Sequence, residues 1–335
     1  MRMKPLGWWG KPLAFVYGLV VRFRNWLYDT GWLRSVRTTT PVWVIGNLST
    51  GGTGKTPVVI AMARSLRDAG LRPGILSRGY GRRSNQLIEV TREYLASEVG
   101  DEPLLIKDCL PDVPVVVNAH RLAGVYYLTR RYRPDIILLD DGFQHRLIHP
   151  HCAVVLMSAH RPYDEDLLLP AGYLREPLSA LRRASALLIT KVNSSFVLSV
   201  DQWRRRLLLP SDFPVWLVPF RYAPLRLLQK GDFPLPQRPL FVAGLADPAP
   251  AEVHLRKLFR TLEVRYYPDH HPYSESDVRQ VELYAHRLGN DGIITTAKDA
   301  VKLKRWIRTS SLPWWVLPVE AELPHSFIQW VLKTL

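Results

Sequence analysis

A chain of 335 residues with 47% hydrophobic content can bury a substantial core and is long enough for two domains. Its two cysteines, Cys109 and Cys152, make neither a disulfide framework nor a zinc site by themselves, which points to a reducing compartment. The net charge of +15 comes in short scattered clusters (Arg82–Arg83, Arg130–Arg131, Arg182–Arg183, Arg204–Arg206) that suit nucleic acid, anionic lipid or a phosphorylated substrate alike; no nucleic-acid-binding motif, repeat or low-complexity segment accompanies them.

The first 35 residues form a segment of their own. Their apolar stretch, 12–21, is too short to span a bilayer, and no small-residue cleavage site follows. On a helix, Leu13, Val16, Val20, Phe23 and Leu27 make one stripe, with Lys11, Gly18, Arg22, Asn25 and Asp29 opposite. Trp8, Trp9, Trp26 and Trp32, with Lys4, Lys11, Arg22 and Arg24, fit a helix lying in a membrane interface, where Val16 and Val20 would meet lipid. The alternative is a first helix packed on the protein's own core.

Next comes VWVIG (42–46), a buried strand by its β-branched and aromatic run, then NLSTGGTGKTP (47–57) and a helical pattern that ends before Gly70. Strand, glycine loop, lysine, threonine and helix build a nest of backbone N–H groups for polyphosphate. Ser49, Thr50, Gly51, Gly52, Thr53 and Gly54 form the cradle, Lys55 reaches the β/γ-phosphates, and Thr56 serves Mg²⁺. The first glycine of the usual phosphate-loop pattern is replaced by Ser49. Thr50 stands where dimerising partition-type ATPases carry a second lysine, which argues against that class.

RPGILSRGYGRR (72–83) reads as a strand ending in a basic, glycine-flanked loop, and VGDEPLLIKD (99–108) opens a helix. Asp101 and Glu102 in its first turn suit the helix dipole without any chemistry. Residues 113–145 read as strand, helix, strand, the last being DIILLDD, which ends in Asp140 and Asp141. Carboxylates at a strand's C-terminal end beside a phosphate loop are what a Mg²⁺ site needs. His145, His149 and His151 lack a partner to close a zinc site, and Pro150 breaks any helix that would align them. ALLITKVN (186–193) is a further strand; its TKVN is a poor guanine-recognition motif, with Asn193 where Asp is wanted, so ATP is favoured over GTP. After a proline-rich stretch (210–239), a second αβ alternation begins, and its YYPDHHPYSESD (266–277) carries a histidine pair after Asp269. Such a pair has the right types to orient a base or grip a phosphate, though by itself it is more often incidental.

Taken together and in order, NLSTGGTGKTP, LSRGYGR, GDEP, LDDGFQH, PDHH and TTAKDAVKL closely resemble the tetraacyldisaccharide 4′-kinase family, the lipid A 4′-kinases of the inner membrane's cytoplasmic face. The resemblance runs over nearly the whole chain. It implies transfer of the ATP γ-phosphoryl group to the 4′-hydroxyl of an acylated glucosamine disaccharide 1-phosphate, with Asp101 as catalytic base, His270 as its partner, and Asp140 and Asp141 in the Mg²⁺ and nucleotide site. Arg78, Arg121, Gln144 and His145 are expected on the substrate side, and no obligate protein partner is expected. The expected architecture is an α/β protein. It has the interface helix (1–35), a kinase domain of the phosphate-loop NTPase type with a parallel sheet (36–225), and a smaller α/β domain (226–335) closing the cleft.

Overall fold

A computed structural model describes residues 5–192 and 198–335. Lys4 and Asn193, which carried expectations above, lie outside the described residues.

A short 3₁₀ turn, Gly7–Gly10, leads into α1 (Lys11–Asp29). The helix lies with its small and polar face inward: Gly10, Ala14 and Gly18 are buried, while Tyr17, Val21, Arg24, Asn25 and Tyr28 are half-buried. Small residues allow the close approach. A Cβ at Gly18 would stand 2.9 Å from the Leu168 side chain, and one at Gly10 2.9 Å from the Ala171 backbone. Outward go Leu13, Phe15, Val16, Leu19, Val20, Phe23 and Trp26, with Trp8 and Trp9 exposed at 81% and 91%. Leu27, the last member of the expected stripe, is half-buried. This is the reverse of an ordinary surface helix. No described helix is long and apolar enough to cross a membrane.

The chain then builds β1 (Val42–Gly46), α2 (Lys55–Asp68), β2 (Pro73–Ser77), β3 (Ile88–Glu89), α3 (Ala96–Val99), α4 (Asp101–Cys109), β4 (Val115–Val117), α5 (Arg121–Tyr132), β5 (Ile136–Asp140), β6 (Cys152–Ser158), β7 (Ala186–Val192), α6 (Val200–Arg206) and β8 (Val215–Tyr222). These form a sheet of order β8-β7-β6-β1-β5-β2-β4-β3, parallel except for β3 at its edge. Helices cover both faces, which is why VWVIG and IILLD are apolar throughout rather than alternating. β1 pairs with β5 in a register that sets Ile45 opposite Asp140. The phosphate loop and the paired acids therefore leave the sheet side by side at its carboxyl edge.

A second sheet follows from β9 (Arg226–Leu227), β10 (Pro239–Ala243), α7 (Ala249–Leu258), β11 (Glu263–Tyr266), α8 (Glu275–Leu288), β12 (Gly292–Thr296), α9 (Ala297–Leu303) and β13 (Trp314–Leu317). Its order is β11-β10-β12-β13-β9, parallel but for β9. The expectation that this unit runs on to 335 does not hold in the strand pairing. β14 (Val319–Ala321) returns to the first sheet, pairing antiparallel with β8, and α10 (His325–Thr334) packs Phe327 and Val331 into the first core. The reason is the edge of the large sheet. β8 presents an unpaired row of backbone groups, and β14 satisfies it while α10 covers the apolar face behind.

Candidate active site

The phosphate loop is held from its neighbours. Asn47 Nδ2 donates to Thr53 Oγ1 (3.0 Å), Thr190 Oγ1 donates to the Thr53 carbonyl (2.7 Å), and Thr50 N donates to the Tyr173 carbonyl (2.7 Å). Gly54 caps α2 at φ +81°, and a Cβ there would strike the Phe220 ring at 2.2 Å, so both conformation and space demand glycine. The first-turn amides of α2 have no carbonyl four residues back, which leaves them for an anion. Thr56 is buried on that turn.

The two strand-end acids are treated differently by their surroundings. Asp141 sits between two cations, with Lys55 Nζ 3.3 Å from Oδ1 and Arg175 Nη1 3.1 Å from Oδ2; these charges outweigh its burial and hold its carboxyl down at about 2. Asp140 is 1% exposed and pushed up to about 7 by burial, then by the negative charges of Glu102 and Asp141. Ser77 Oγ donates to its Oδ2 (3.0 Å), whereas Oδ1 has no hydrogen-bond partner among the described residues. A buried carboxylate oxygen left open at a strand end beside the phosphate loop fits a small hard cation. Asp141, already tied to two cations, fits that role less well than Asp140.

On the other side of the loop a cluster of positive groups gathers. His145 is driven down to about 4 by burial, then by the charges of Arg121, Arg24 and Arg78. Arg121 is only 5% exposed and is lowered to about 10, by burial and then by Arg78. Its Nη1 donates to the carbonyls of Asn118 and Ala119, and its Nε has no partner among the described residues. Gln144 links this cluster to the loop, since its Nε2 donates to the Asn47 carbonyl (2.9 Å) and its Oε1 accepts from Arg175 (3.4 Å). Like charges held together in a partly dry setting favour an incoming anion. His151 turns away from His145, with Nε2 2.8 Å from the Thr334 carbonyl.

The third element joins the two sheets. Asp101 opens α4 after Gly100 (φ +96°), and His270 lies beyond β11 in a left-handed conformation, φ +61°. Although 169 residues apart, His270 Nδ1 and Asp101 Oδ2 are 3.0 Å from each other. Glu102, the next residue of α4, raises Asp140 by its charge and lies 3.9 Å from Lys298 Nζ, so the two carboxylate centres share one cleft. The helix-start reading of Asp101 is thus incomplete, since its carboxylate also meets a histidine from the second sheet.

Several groups at this site carried no expectation. Arg175 lies in no motif. Lys191, at φ +58° where β7 shifts register, brings Nζ to 3.8 Å from the point a Gly52 Cβ would occupy. Lys298 and Lys302 stand within TTAKDAVKL, where four-residue spacing on a helix is the only signal that they share a face.

Comparison with known proteins gives a consistent result. A family model described as tetraacyldisaccharide-1-P 4′-kinase matches residues 6–335. The tetraacyldisaccharide 4′-kinase of Parabacteroides distasonis is 37% identical over 312 residues, covering 88% of this chain and 83% of that protein. The one from Pseudoalteromonas atlantica is 34% identical over 330 residues, covering 97% and 98%. The crystal structure of LpxK from Aquifex aeolicus in complex with ATP superposes with a TM-score of 0.77 at 29% identity, over 97% of this chain and 98% of that one.

Proposed function

The chain belongs to the tetraacyldisaccharide 4′-kinase family, ATP-using kinases of lipid A biosynthesis, and we propose how its residues divide that reaction among themselves. The loop 49–54 and the first turn of α2 take the ATP phosphates, and Lys55 leaves Asp141 for the β/γ oxygens. Asp140 and Thr56 would hold Mg²⁺, which would offset charge on the phosphate oxygens. Asp101 accepts the proton of the sugar 4′-hydroxyl; the hydroxyl oxygen bonds to the γ-phosphorus as the bond to the β-phosphate oxygen breaks, and ADP leaves. His270 already occupies Asp101 Oδ2, so Oδ1 is the oxygen that takes the proton.

The acceptor is a tetraacyldisaccharide 1-phosphate, converted to lipid IVA. Arg78, Arg121, His145 and Gln144 take its phosphorylated head group, because two guanidinium groups, a histidine and a loop-tied amide form an anion-favouring surface next to the phosphate loop. The outward apolar face of α1 lies on the anionic cytoplasmic surface of the inner membrane, where ATP is available and where each buried CH₂ of the acyl chains holds the substrate by about 0.8 kcal/mol.

The observation that carries the catalytic assignment is the 3.0 Å contact between Asp101 and His270 across the two sheets. It is tested by transfer from γ-labelled ATP to the disaccharide acceptor in detergent micelles, with Mg²⁺ varied, in wild type, Asp101→Ala and Asp140→Asn. Loss of turnover at unchanged ATP affinity in the first, and loss of the Mg²⁺ response in the second, is the expected result. A raised KM for ATP with normal kcat in Asp101→Ala would move that residue to the nucleotide site.

A further inference from the structure

Lys298 and Lys302 stand one turn apart on α9, which packs against α4. The Lys302 side chain is 6% exposed, with Nζ 2.9 Å from Asp299 Oδ1 and 3.9 Å from Asp101 Oδ2, over the Tyr273 ring at 5.1 Å. Asp299 is fully buried and accepts from Gly244 N and Thr296 Oγ1, so Lys302 is anchored from behind. Lys298 is aimed differently. Its Nζ lies 3.0 Å from His270 Nε2, 3.9 Å from Glu102 Oε1 and 4.0 Å from Asp269 Oδ1.

A lysine ammonium has three donors and no acceptor. Its hydrogen bond to Nε2 therefore requires a lone pair on that nitrogen, and the ring proton must sit on Nδ1, the atom facing Asp101 Oδ2. The other tautomer fails at both ends: Nε2–H would oppose an N–H of Lys298, and a bare Nδ1 would face a carboxylate oxygen. A doubly protonated ring would set two cations 3.0 Å apart. The groups facing the imidazole are Asp101 from α4, Lys298 from α9, Asp269 of its own loop with Oδ2 3.9 Å from Nε2, and the Tyr80 ring at 6.3 Å from the loop after β2; Glu102 touches Lys298 and Lys302 touches Asp101 behind them.

We infer that Lys298 is a positioning residue for the transfer reaction: its ammonium fixes His270 as the Nδ1–H tautomer, so that the imidazole donates to Asp101 and orients it as a proton acceptor. The inference rests on the reading of Asp101 as the base. It gives α9 a purpose that packing alone does not, because three of its seven residues are charged and all three turn inward at the seam between the sheets. The left-handed backbone of His270 serves the same end, since it aims one ring nitrogen at each sheet's helix.

Two measurements test this. In wild type, NMR of isotope-labelled histidine should show His270 protonated on Nδ1 and bare on Nε2; a proton on Nε2 overturns the inference, with no variant needed. Lys298→Met should mix the tautomers and lower kcat by roughly 10- to 100-fold, the loss typical when the partner that orients a functional histidine is removed. KM for ATP and for lipid should hold, and Lys298→Arg should recover most of kcat. Wild-type kcat in Lys298→Met, or a raised lipid KM at unchanged kcat, overturns the role. Asp101→Ala run in parallel separates the two claims: full turnover there removes the base assignment itself, whereas an inactive Asp101→Ala beside a fully active Lys298→Met removes only the lysine.

Discussion

The two halves of the cleft are built in opposite ways. The phosphate half is contiguous: β1, the loop and the start of α2 occupy a single run of the chain, and the neighbouring acids follow from one strand register. The base half is assembled from residues 169 apart, Asp101 on the first sheet's α4 and His270 beyond β11 of the second, with α9 behind them. The N-terminal helix is assembled in the same sense. Tyr17 Oη donates to the Arg175 carbonyl, Arg24 to the Gln144 carbonyl and Asn25 to Glu176, contacts spanning 158, 120 and 151 residues. A contiguous site keeps its geometry as long as its own strand and helix fold. An assembled one also depends on how two units meet, so substitutions there should change turnover more than binding.

That contrast breaks first at the phosphate half. Lys55→Ala should lower transfer by on the order of 10³-fold or more, the scale of a cation acting on a transferring phosphoryl group. Near-normal turnover would mean that Lys191, poised over Gly52, supplies the charge instead.

In the assembled half, Asp101→Ala should lower kcat by about 10²- to 10⁴-fold with ATP affinity retained. The Asp101→Ala/His270→Ala double variant should be little worse than the worse single one, because the pair works as a unit. Losses that multiply would show two independent roles and blur the distinction between the halves.

The N-terminal helix gives a smaller effect of a different kind. Replacing Val16 and Val20 by Asp places charges on its exposed apolar face. Binding to anionic vesicles and activity on vesicle-borne acceptor should drop by about one to two orders of magnitude, since two partly inserted aliphatic side chains together contribute about 1.5–3 kcal/mol, while ATP affinity stays put. Unchanged sedimentation with vesicles would move membrane contact to the scattered arginines.

The smallest effect is a pH dependence at His145. Its folded value, about 4, lies below the ordinary imidazole value of 6.5, so the folded state resists the proton that the unfolded chain accepts. Stability is thus intact above 6.5 and falls as the pH drops from there to about 4. His145→Gln should reduce the fall in Tm across that window, and an identical slope in both proteins would show that His145 is solvated rather than pressed among arginines.

What the chain determines by itself is whatever is written in neighbours. VWVIG followed by a glycine loop and Lys55–Thr56 specifies strand, nest and helix, because backbone conformation, apolar burial and phosphate chemistry act there over a dozen residues. DIILLDD places two acids at a strand end for the same reason, and the periodicity of 13–27 marks an apolar face on α1. Their surroundings were not legible. Nothing local says that Asp140 is buried with an open oxygen and Asp141 clamped by Lys55 and Arg175, since that difference comes from side chains more than thirty residues away. Nor does local pattern say that β14 crosses back to cover β8, or that Lys298 reaches His270. Those are decided by which surfaces meet. Burial and Coulomb interactions act through space, and only the packed fold brings the charges within the few ångströms at which they select a tautomer or a protonation state.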